Sequence, residues 1–213
     1  MRIYIIRHGE TELNKAGVMQ GRLDEPLNQS GRDLAILTGR AMKDIRFDRC
    51  ITSSLDRARE TAELILRESG NDIQPEIDDR LLEISCGDIE GRRISEMGEA
   101  GNLFFIDPFR FIGFPNGESI NDLCRRTQSF LKELIALDDG KTYLISTHGC
   151  AMRAMVNYLK DDPSDYWYGH APYNCSVTLV EVENGVPRIT AVDRVYYDQS
   201  LVVDRYKQYS KTE

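Results

Sequence analysis

The feature that most constrains the fold is the alternation of short apolar runs with segments of helical periodicity. The first run, Arg2 to Ile6, is rich in β-branched residues and is typical of a strand buried on both faces. Polar, glycine-containing sequence follows from Gly9 to Ser30. GRDLAILTGRAMKDI then places apolar residues at helical spacing, with Ser30 positioned to cap the helix. The first unit therefore predicts a strand, a long loop and a helix.

The same order recurs along the rest of the chain. FDRCITSS predicts a second strand, LDRARETAELILRES a second helix, and residues 73–84 another short strand. A helix capped by Ser119 is expected to run to about Leu137, before the buried strand TYLISTH and the helix GCAMRAMVNYLK. CSVTLVEV and PRITAVDRV predict two last strands joined by a turn at Asn184 and Gly185. This alternation predicts an α/β fold with a mainly parallel sheet.

Residues 87–115 interrupt this pattern. The segment carries glycines, two prolines and a cluster of phenylalanines, and its apolar residues follow neither strand nor helix spacing. The phenylalanines are Phe104, Phe105, Phe109, Phe111 and Phe114. We interpret the segment as a small cap insertion within a single domain that spans residues 1–213, and we expect the phenylalanines to form its core.

Composition limits the partners and the compartment of the protein. The formal net charge is −8, and nucleic acids and anionic membranes are both bound through basic surfaces, so neither is an expected partner. The five cysteines are scattered and form no CxxC pair, which favours reduced, packed thiols over disulfides or a zinc site. No apolar run is long enough to cross a bilayer, and the N-terminus is not typical of a secretory signal. We therefore expect a cytoplasmic protein.

Unusual polar residues stand where three of the predicted strands end. They are Arg7 and His8 after the first strand, Ser53, Ser54 and Arg57 after the second, and Thr147, His148 and Gly149 after a central one. In open α/β sheets, ligands bind outside the carboxyl ends of the strands. A single histidine at such a position is more often structural. Two histidines, each followed by glycine and accompanied by arginines, indicate a binding site.

The chemistry of these residues favours an anionic ligand over a metal ion. Histidine is the commonest metal ligand, but His148 has no Cys, Asp or Glu at ligand spacing, and the arginines around the pair would disfavour a dication. Guanidinium groups bind phosphate or carboxylate through paired hydrogen bonds. We therefore expect no metal and no cofactor at this site.

Several motifs together resemble one known family. They are RHGETELN, GRLDEPLNQSGRDLA, SSLDRARETAE, LLEISCGDIEG, PNGES and STHGCAMRA, in that order. Their order and spacing are similar to those of the histidine phosphatase superfamily, the phosphoglycerate mutase-like proteins, from residue 3 to about residue 182. The resemblance implies a three-layer α/β fold, with helices on both sides of the sheet, and phosphoryl transfer through a phosphohistidine.

The resemblance also implies a role for individual residues. His8 resembles the nucleophile, Glu83 the general acid, and Asn14 an asparagine that donates to phosphate. The residues that resemble the phosphate pocket are Arg7, Asn14, Arg57, His148 and Gly149, of which Arg7, Arg57 and His148 also count as catalytic. Arg57 and Glu83 by themselves would be ordinary surface residues, with Arg57 in an i,i+4 pair. Arg22, Glu118 and Ser119 resemble positions near the substrate mouth, and His170 is expected to be structural.

Elementary chemistry is consistent with these roles. A neutral imidazole can attack phosphorus with one nitrogen if the other donates its proton to a fixed acceptor. Neighbouring arginines keep His8 unprotonated and balance the charge of the phosphate. A protonated His148 and the backbone N–H groups of the helix after it are further expected donors. Glu83 would protonate the leaving oxygen and later activate water.

The resemblance leaves three functions open. The leading hypothesis is a metal-independent phosphomonoesterase that acts on a small phosphorylated metabolite. The first alternative is a cofactor-dependent phosphoglycerate mutase, although mutases of that kind carry a longer insertion between the acid and the second histidine than Glu83 and His148 allow. The second alternative is a non-catalytic module that binds phosphorylated ligands. The phenylalanines of the cap could favour a ring-bearing leaving group, and a homodimer is an open question.

Overall fold

A six-stranded mixed sheet lies at the centre of the computed structural model, which describes residues 1–204 except for the side chain at position 100. The strands are β1 (Arg2–Arg7), β2 (Arg49–Thr52), β3 (Pro75–Ile77), β4 (Thr142–Thr147), β5 (Val177–Glu183) and β6 (Val186–Arg194). The helices are α1 (Glu12–Ala16), α2 (Gln29–Ala41), α3 (Asp56–Ser69), α4 (Gly98–Ile106), α5 (Ile120–Leu137) and α6 (Gly149–Val156). The strand order is β3-β2-β4-β1-β5-β6.

The register of the two central strands determines where the site forms. β1 pairs in parallel with β4, and the last pair in the register joins Arg7 to Thr147. The residue after the end of each strand is a histidine, so His8 and His148 lie side by side at the edge of the sheet. β2 and β3 extend the parallel part, whereas β5 and β6 are antiparallel additions. The predicted α/β fold with a mainly parallel sheet is confirmed.

Side chains of β1 alternate between two cores, one on each face of the sheet. Ile3 and Ile5 pack into a cluster with residues of α5 and α6. Tyr4 and Ile6 pack into another with residues of α2 and α3. Because β1 is covered on both faces, its run is apolar throughout rather than alternating, as expected for a central parallel strand. Full burial of each isoleucine contributes about 1.5–3 kcal/mol.

Residues 87–115 pack on α5 and α6 in a third hydrophobic cluster. Three short 3₁₀ turns and α4 make up the segment. Phe104, Phe105, Phe111 and Phe114 are buried there, in a cluster that also includes residues of α5 and Tyr166. The predicted packing of the phenylalanines into a core is confirmed for these four, but the core is shared with α5 and α6, and Phe109 packs partly buried against it. The cap insertion itself stays a prediction.

Two predictions of local structure need correction. Asn28, and not Ser30, caps α2, since its side chain accepts the Gly31 N–H at 2.8 Å and Ser30 lies within the first turn. The predicted loop also contains the short helix α1, which begins with a capping box between Thr11 and Asn14. The cap of α5 by Ser119 and its end at Leu137 are confirmed.

Two further expectations concern the chain as a whole. Residues 205–213 lie outside the described range, so the prediction of a single domain over 1–213 stays a prediction. Within residues 1–204, no helix combines the length and the apolar character needed to cross a membrane.

Gly31 allows α2 to approach the loop after β1 very closely. A Cβ at this position would lie 2.2 Å from the carbonyl oxygen of Glu10 and 2.5 Å from its nitrogen. These are backbone atoms that cannot rotate away, so Gly31→Ala should destabilise the fold by about 1–3 kcal/mol in urea unfolding. Activity should fall as well, because Glu10 is two residues from His8.

The matched control for this variant is Gly70→Ala. Gly70 has φ +72°, and a Cβ added there would have no heavy atom within 4 Å, so alanine incurs backbone strain of about 1 kcal/mol without a steric clash. It should leave activity unchanged. The interpretation is wrong if Gly31→Ala is as stable as the control and fully active.

Candidate active site

A cleft opens at the carboxyl ends of β1 and β4. Its polar lining consists of Arg7, His8, Asn14, Gln20, Arg57, Glu83 and Gly149. Its apolar lining includes Val18, Met19, Ile84, Phe104, Phe105 and Trp167. The predicted catalytic and phosphate-binding residues therefore meet in one place. His148 is buried and does not line the cleft, but its ring lies next to that of His8.

His8 is held in one tautomer. Its Nδ1 lies 2.6 Å from the carbonyl oxygen of Gly9, and because a carbonyl only accepts, Nδ1 carries the proton. Nε2 therefore holds the lone pair. Burial lowers the pKa of His8 well below its usual value, Arg57 and Arg7 lower it further, and the bond to Gly9 opposes them. His8 is thus a neutral imidazole with an available nucleophilic nitrogen.

The two arginines are fixed by backbone carbonyls. Arg7 donates to the carbonyl of Pro172. Arg57 donates from Nη1 to the carbonyl of Leu23 at 2.6 Å and from Nη2 to that of Gly21 at 2.8 Å. These carbonyl acceptors carry no net charge, so they orient the guanidinium groups without neutralising them. Burial lowers the pKa of Arg57 to about 10, and the group stays protonated at neutral pH.

Arg57 does not form the surface pair that its helix suggested. Its side chain is 1% exposed, and Glu60 pairs instead with Arg32 at 2.6 Å. Within residues 1–204, its buried Nε has no hydrogen-bond partner. A buried guanidinium with an unused donor beside a nucleophile is well placed for a bound phosphate.

His148 is buried beside His8. The residue is fully buried, its ring centroid lies 5.2 Å from that of His8, and its Nε2 is 2.7 Å from Ser53 Oγ. Burial lowers the pKa of His148 well below its usual value, and Arg57 and His8 lower it further. In the unliganded protein His148 is therefore neutral. The expectation of a protonated donor concerns the phosphate-bound site and stays a prediction.

The carboxyl of Glu83 accepts hydrogen bonds from N–H groups at the start of α6. Its Oε1 accepts the N–H groups of Ile84 at 2.9 Å and Ala151 at 3.0 Å, and its Oε2 accepts that of Cys150 at 3.2 Å. The helix N–H groups that were expected to bind phosphate thus bind the carboxyl of Glu83 instead. Gly149, directly before them, lines the cleft next to Arg7.

Asn14 is oriented with its amide nitrogen available. Its Oδ1 accepts the Thr11 N–H at 3.3 Å and Asn174 Nδ2 at 3.4 Å, so the NH₂ end can donate to a ligand in the cleft. Asn174 also donates to the carbonyl of His8 at 3.0 Å. Gln20 lines the cleft and accepts from Thr11 Oγ1 at 2.9 Å.

Sequence reasoning missed Gln20 and Asn174. Asn174 lies 166 positions after His8, outside the motifs, and only the tertiary fold brings it to the histidine. Gln20 lies in the loop between two motifs. Its side-chain type alone gave no signal, because glutamine in a loop is usually exposed.

An aromatic wall faces the polar floor. Phe104 and Phe105 of α4 line the cleft together with Trp167, whose ring centroid lies 5.5 Å and 5.8 Å from theirs. Phe109 and Phe111 do not line it. Phe109 packs on Tyr166, with 5.8 Å between ring centroids, and Phe111 on Phe114, with 4.6 Å.

The remaining candidates lie outside the polar floor. All five cysteines are buried and free, as expected, and burial raises the pKa values of the Cys86 and Cys150 thiols at the cleft wall. His170 bonds to the carbonyl of Ala171 at 2.9 Å and stacks on Tyr173. In the described residues, no group of three His, Cys, Asp or Glu side chains could hold a metal ion. The absence of a metal requirement stays a prediction.

Comparison with known proteins decides the family. The family model described as histidine phosphatase superfamily (branch 1) matches residues 3–194, most of the chain. The chain belongs to the histidine phosphatase superfamily. The resemblance carried by the RHGE and THG motifs is therefore confirmed, and so is the fold that it implied.

Relatives of this histidine phosphatase chain carry different names. A probable phosphoglycerate mutase, GpmB, of Salmonella arizonae is 30% identical over 186 residues, 86% of each chain. The solved structure of Bacillus stearothermophilus YhfR is 32% identical with a TM-score of 0.82, over 91% of this chain and 97% of that one. A phosphoglycerate mutase from Bacillus anthracis str. Sterne is 27% identical with a TM-score of 0.80, over 91% and 92%. Two of these relatives are thus named as phosphoglycerate mutases, whereas the family is described as histidine phosphatases, so the names alone do not decide the reaction.

The lowered pKa values of His8 and His148 predict a loss of stability in acid. The unfolded chain binds protons near the usual histidine pKa of 6.5, whereas the folded chain does so only at lower pH. The free energy of unfolding should therefore be fully retained above pH 6.5. Below it, each histidine should reduce that energy by at most about 1.4 kcal/mol per pH unit.

Urea unfolding at pH 7.5 and at pH 5.5 measures this loss. His8→Gln should remove about half of the histidine contribution, since one of the two buried groups is gone. His170→Gln, at a histidine outside the cleft, is the control for the substitution itself. Equal pH dependence in His8→Gln and wild type would contradict the buried neutral state of His8.

Proposed function

We propose that this protein is a metal-independent phosphomonoesterase that acts through a phosphohistidine at His8. The observation that carries the proposal is the bond from His8 Nδ1 to the Gly9 carbonyl, which leaves the Nε2 lone pair in a cleft with two arginines. Arg7 and Arg57 balance the two negative charges of a phosphate dianion, and Nε2 of His8 supplies the nucleophile. The substrate is a small phosphorylated metabolite.

In the first step, Nε2 of His8 attacks phosphorus in line with the leaving oxygen. The N–P bond forms as the P–O bond breaks, and its electron pair passes to the leaving oxygen. Glu83, in its carboxylic acid form, gives that oxygen a proton, so an alcohol departs and a carboxylate remains. Arg7, Arg57 and Asn14 donate to the equatorial oxygens, on which the charge of the loose transition state is spread.

In the second step, water replaces His8 on phosphorus. The Glu83 carboxylate takes a proton from the water, the oxygen attacks phosphorus, and the N–P bond breaks with its electron pair returning to Nε2. Inorganic phosphate and the acid form of Glu83 result, which restores the starting state. Glu83 Oε2 accepts a single N–H bond and so retains a lone pair for the proton that it carries.

The cleft supports hydrolysis over the mutase alternative. A phosphoglycerate mutase must hold a bisphosphate, whose second phosphate and carboxylate need cations of their own. Among the described residues that line the cleft, the cations are Arg7 and Arg57, both beside His8. Arg22, which is expected near the substrate mouth, already pairs with Glu118 at 3.5 Å. The mutase stays a second candidate because relatives at 27% and 30% identity carry that name.

The aromatic wall favours a leaving group with apolar surface. Phe104, Phe105 and Trp167 line the cleft, and aromatic contacts of this kind contribute about 0.5–1.5 kcal/mol beyond area burial. We therefore infer a preference for phosphoesters of ring-bearing or otherwise apolar alcohols over small polar ones.

Phosphate release in EDTA tests the proposed reaction. Wild-type protein should hydrolyse p-nitrophenyl phosphate and a panel of phosphomonoesters in EDTA, and His8→Ala should abolish turnover because the nucleophile is gone. The same preparations are assayed for conversion of 3-phosphoglycerate to 2-phosphoglycerate with bisphosphoglycerate added. Fast conversion with negligible hydrolysis would establish the mutase. Ligand binding with neither activity would indicate a non-catalytic module.

Truncation of the aromatic wall tests the leaving-group preference. Phe105→Ala should lower kcat/KM for naphthyl phosphate about 10-fold relative to glycerol phosphate, because the ring loses a contact that the small polar group never made. Phe109→Ala is the matched control, since that ring packs on Tyr166 outside the cleft. A preference ratio that Phe105→Ala leaves unchanged would refute the aromatic subsite.

A further inference from the structure

The backbone that carries Glu83 is held from outside the cleft by Arg126 of α5. Its Nη1 donates to the carbonyls of Arg80 at 2.9 Å and Leu82 at 2.7 Å. Its Nη2 donates to the carbonyl of Glu83 itself at 2.9 Å. One guanidinium thus binds three carbonyls along a stretch that lies outside the sheet.

The position of this guanidinium is fixed in turn by Glu118. Arg126 Nε lies 2.7 Å from Glu118 Oε1, and Nη2 lies 2.8 Å from Oε2, a bidentate pair in which both side chains are less than one fifth exposed. Such paired hydrogen bonds restrict a guanidinium in direction as well as in distance. Glu118 immediately precedes Ser119, which caps α5, so the pair has a rigid base.

Thr147 holds the same stretch from the opposite side. Its Oγ1 donates to the carbonyl of Leu81 at 2.7 Å, and it directly precedes His148 at the end of β4. Together, the side chains of Arg126 and Thr147 donate to all four carbonyls from residue 80 to residue 83. The carboxyl of Glu83 is aligned with the start of α6 through these bonds.

We propose that Arg126 is a positioning residue, which holds the main chain of Glu83 so that its carboxyl meets the leaving oxygen. This proposal rests on the proposed function. Arg126 lies outside the cleft lining, so it acts through neighbouring groups. It binds the carbonyl of Glu83 directly, and its charge also contributes to the lowered pKa of His148. A small displacement of a proton donor is costly, because proton transfer needs hydrogen-bond distance to the leaving oxygen.

Leaving-group dependence separates this role from a general structural one. An alkyl alcohol needs a proton to depart, whereas p-nitrophenolate departs without one. The value of kcat/KM depends only on the steps from free enzyme and substrate up to formation of the phosphohistidine. Glu83→Gln should therefore lower kcat/KM by about 10²-fold or more for an alkyl phosphate and far less for p-nitrophenyl phosphate.

Arg126→Lys is the test variant, because lysine keeps the charge but loses the planar fork. It should lower kcat/KM about 10-fold for the alkyl phosphate and leave p-nitrophenyl phosphate nearly unchanged. In the Glu83→Gln background it should add no further loss. Arg125→Lys is the matched control, since Arg125 is 77% exposed and pairs with Asp122.

Equal losses on the two substrates, or losses that add to those of Glu83→Gln, would overturn the positioning role. If Arg126→Lys does not fold, Glu118→Gln replaces it under the same criterion. This variant weakens the paired hydrogen bonds that orient the guanidinium and leaves Arg126 in place. His8→Ala is measured alongside. Hydrolysis of p-nitrophenyl phosphate that survives His8→Ala would refute the proposed function itself. If hydrolysis depends on His8 but Arg126→Lys lowers kcat/KM equally for both substrates, only the role of Arg126 is refuted.

Discussion

The parallel pairing of β1 with β4 is the constraint on which the site depends. The register joins Arg7 to Thr147, and so it brings His8 and His148 out of the sheet together. A shift of one residue in a strand turns every side chain to the other face, which would exchange the two cores and separate the histidines. The cores on the two faces of β1 therefore fix the strand register on which both the fold and the site depend.

Burial gives the site its chemistry. Two arginines and two histidines lie together in a low-dielectric environment, where each cation disfavours protonation of the imidazoles. Backbone carbonyls fix the arginines without neutralising them, so these bonds leave the charge of the pocket for a phosphate. The negative net charge of the chain is no obstacle, because the cations are concentrated where the ligand binds. Glu83 lies within electrostatic reach of Arg57, whose pKa it raises against the effect of burial, and its bonds hold its carboxyl at the start of α6.

Much of this arrangement could be predicted because it follows from local pattern. Runs of β-branched residues predicted the central strands, and motifs predicted that His8, Arg57 and Glu83 would meet. The cap of α2 was misplaced by two residues because Asn28 and Ser30 are both good caps, and packing of Gly31 on Glu10 decides between them.

Other features depend on tertiary contacts that no local pattern contains. Asn174 reaches His8 only through the fold, and the use of the α6 N–H groups by Glu83 follows from how the two segments pack. The neutral state of His148 depends on complete burial, which the sequence motif alone does not specify. Sequence pattern also does not tell which phenylalanines line the cleft. Phe105 lines it, whereas Phe111, six residues later, does not.

The most direct test of the account is to trap the phosphorylated enzyme and locate the phosphoryl group. Rapid quenching in alkali during turnover, followed by peptide mapping and phosphorus NMR, should find an acid-labile phosphoryl group on Nε2 of His8, the nitrogen left free by the bond from Nδ1 to Gly9. A phosphoryl group on Nδ1 or on His148, or turnover without any phosphoenzyme, would contradict the account.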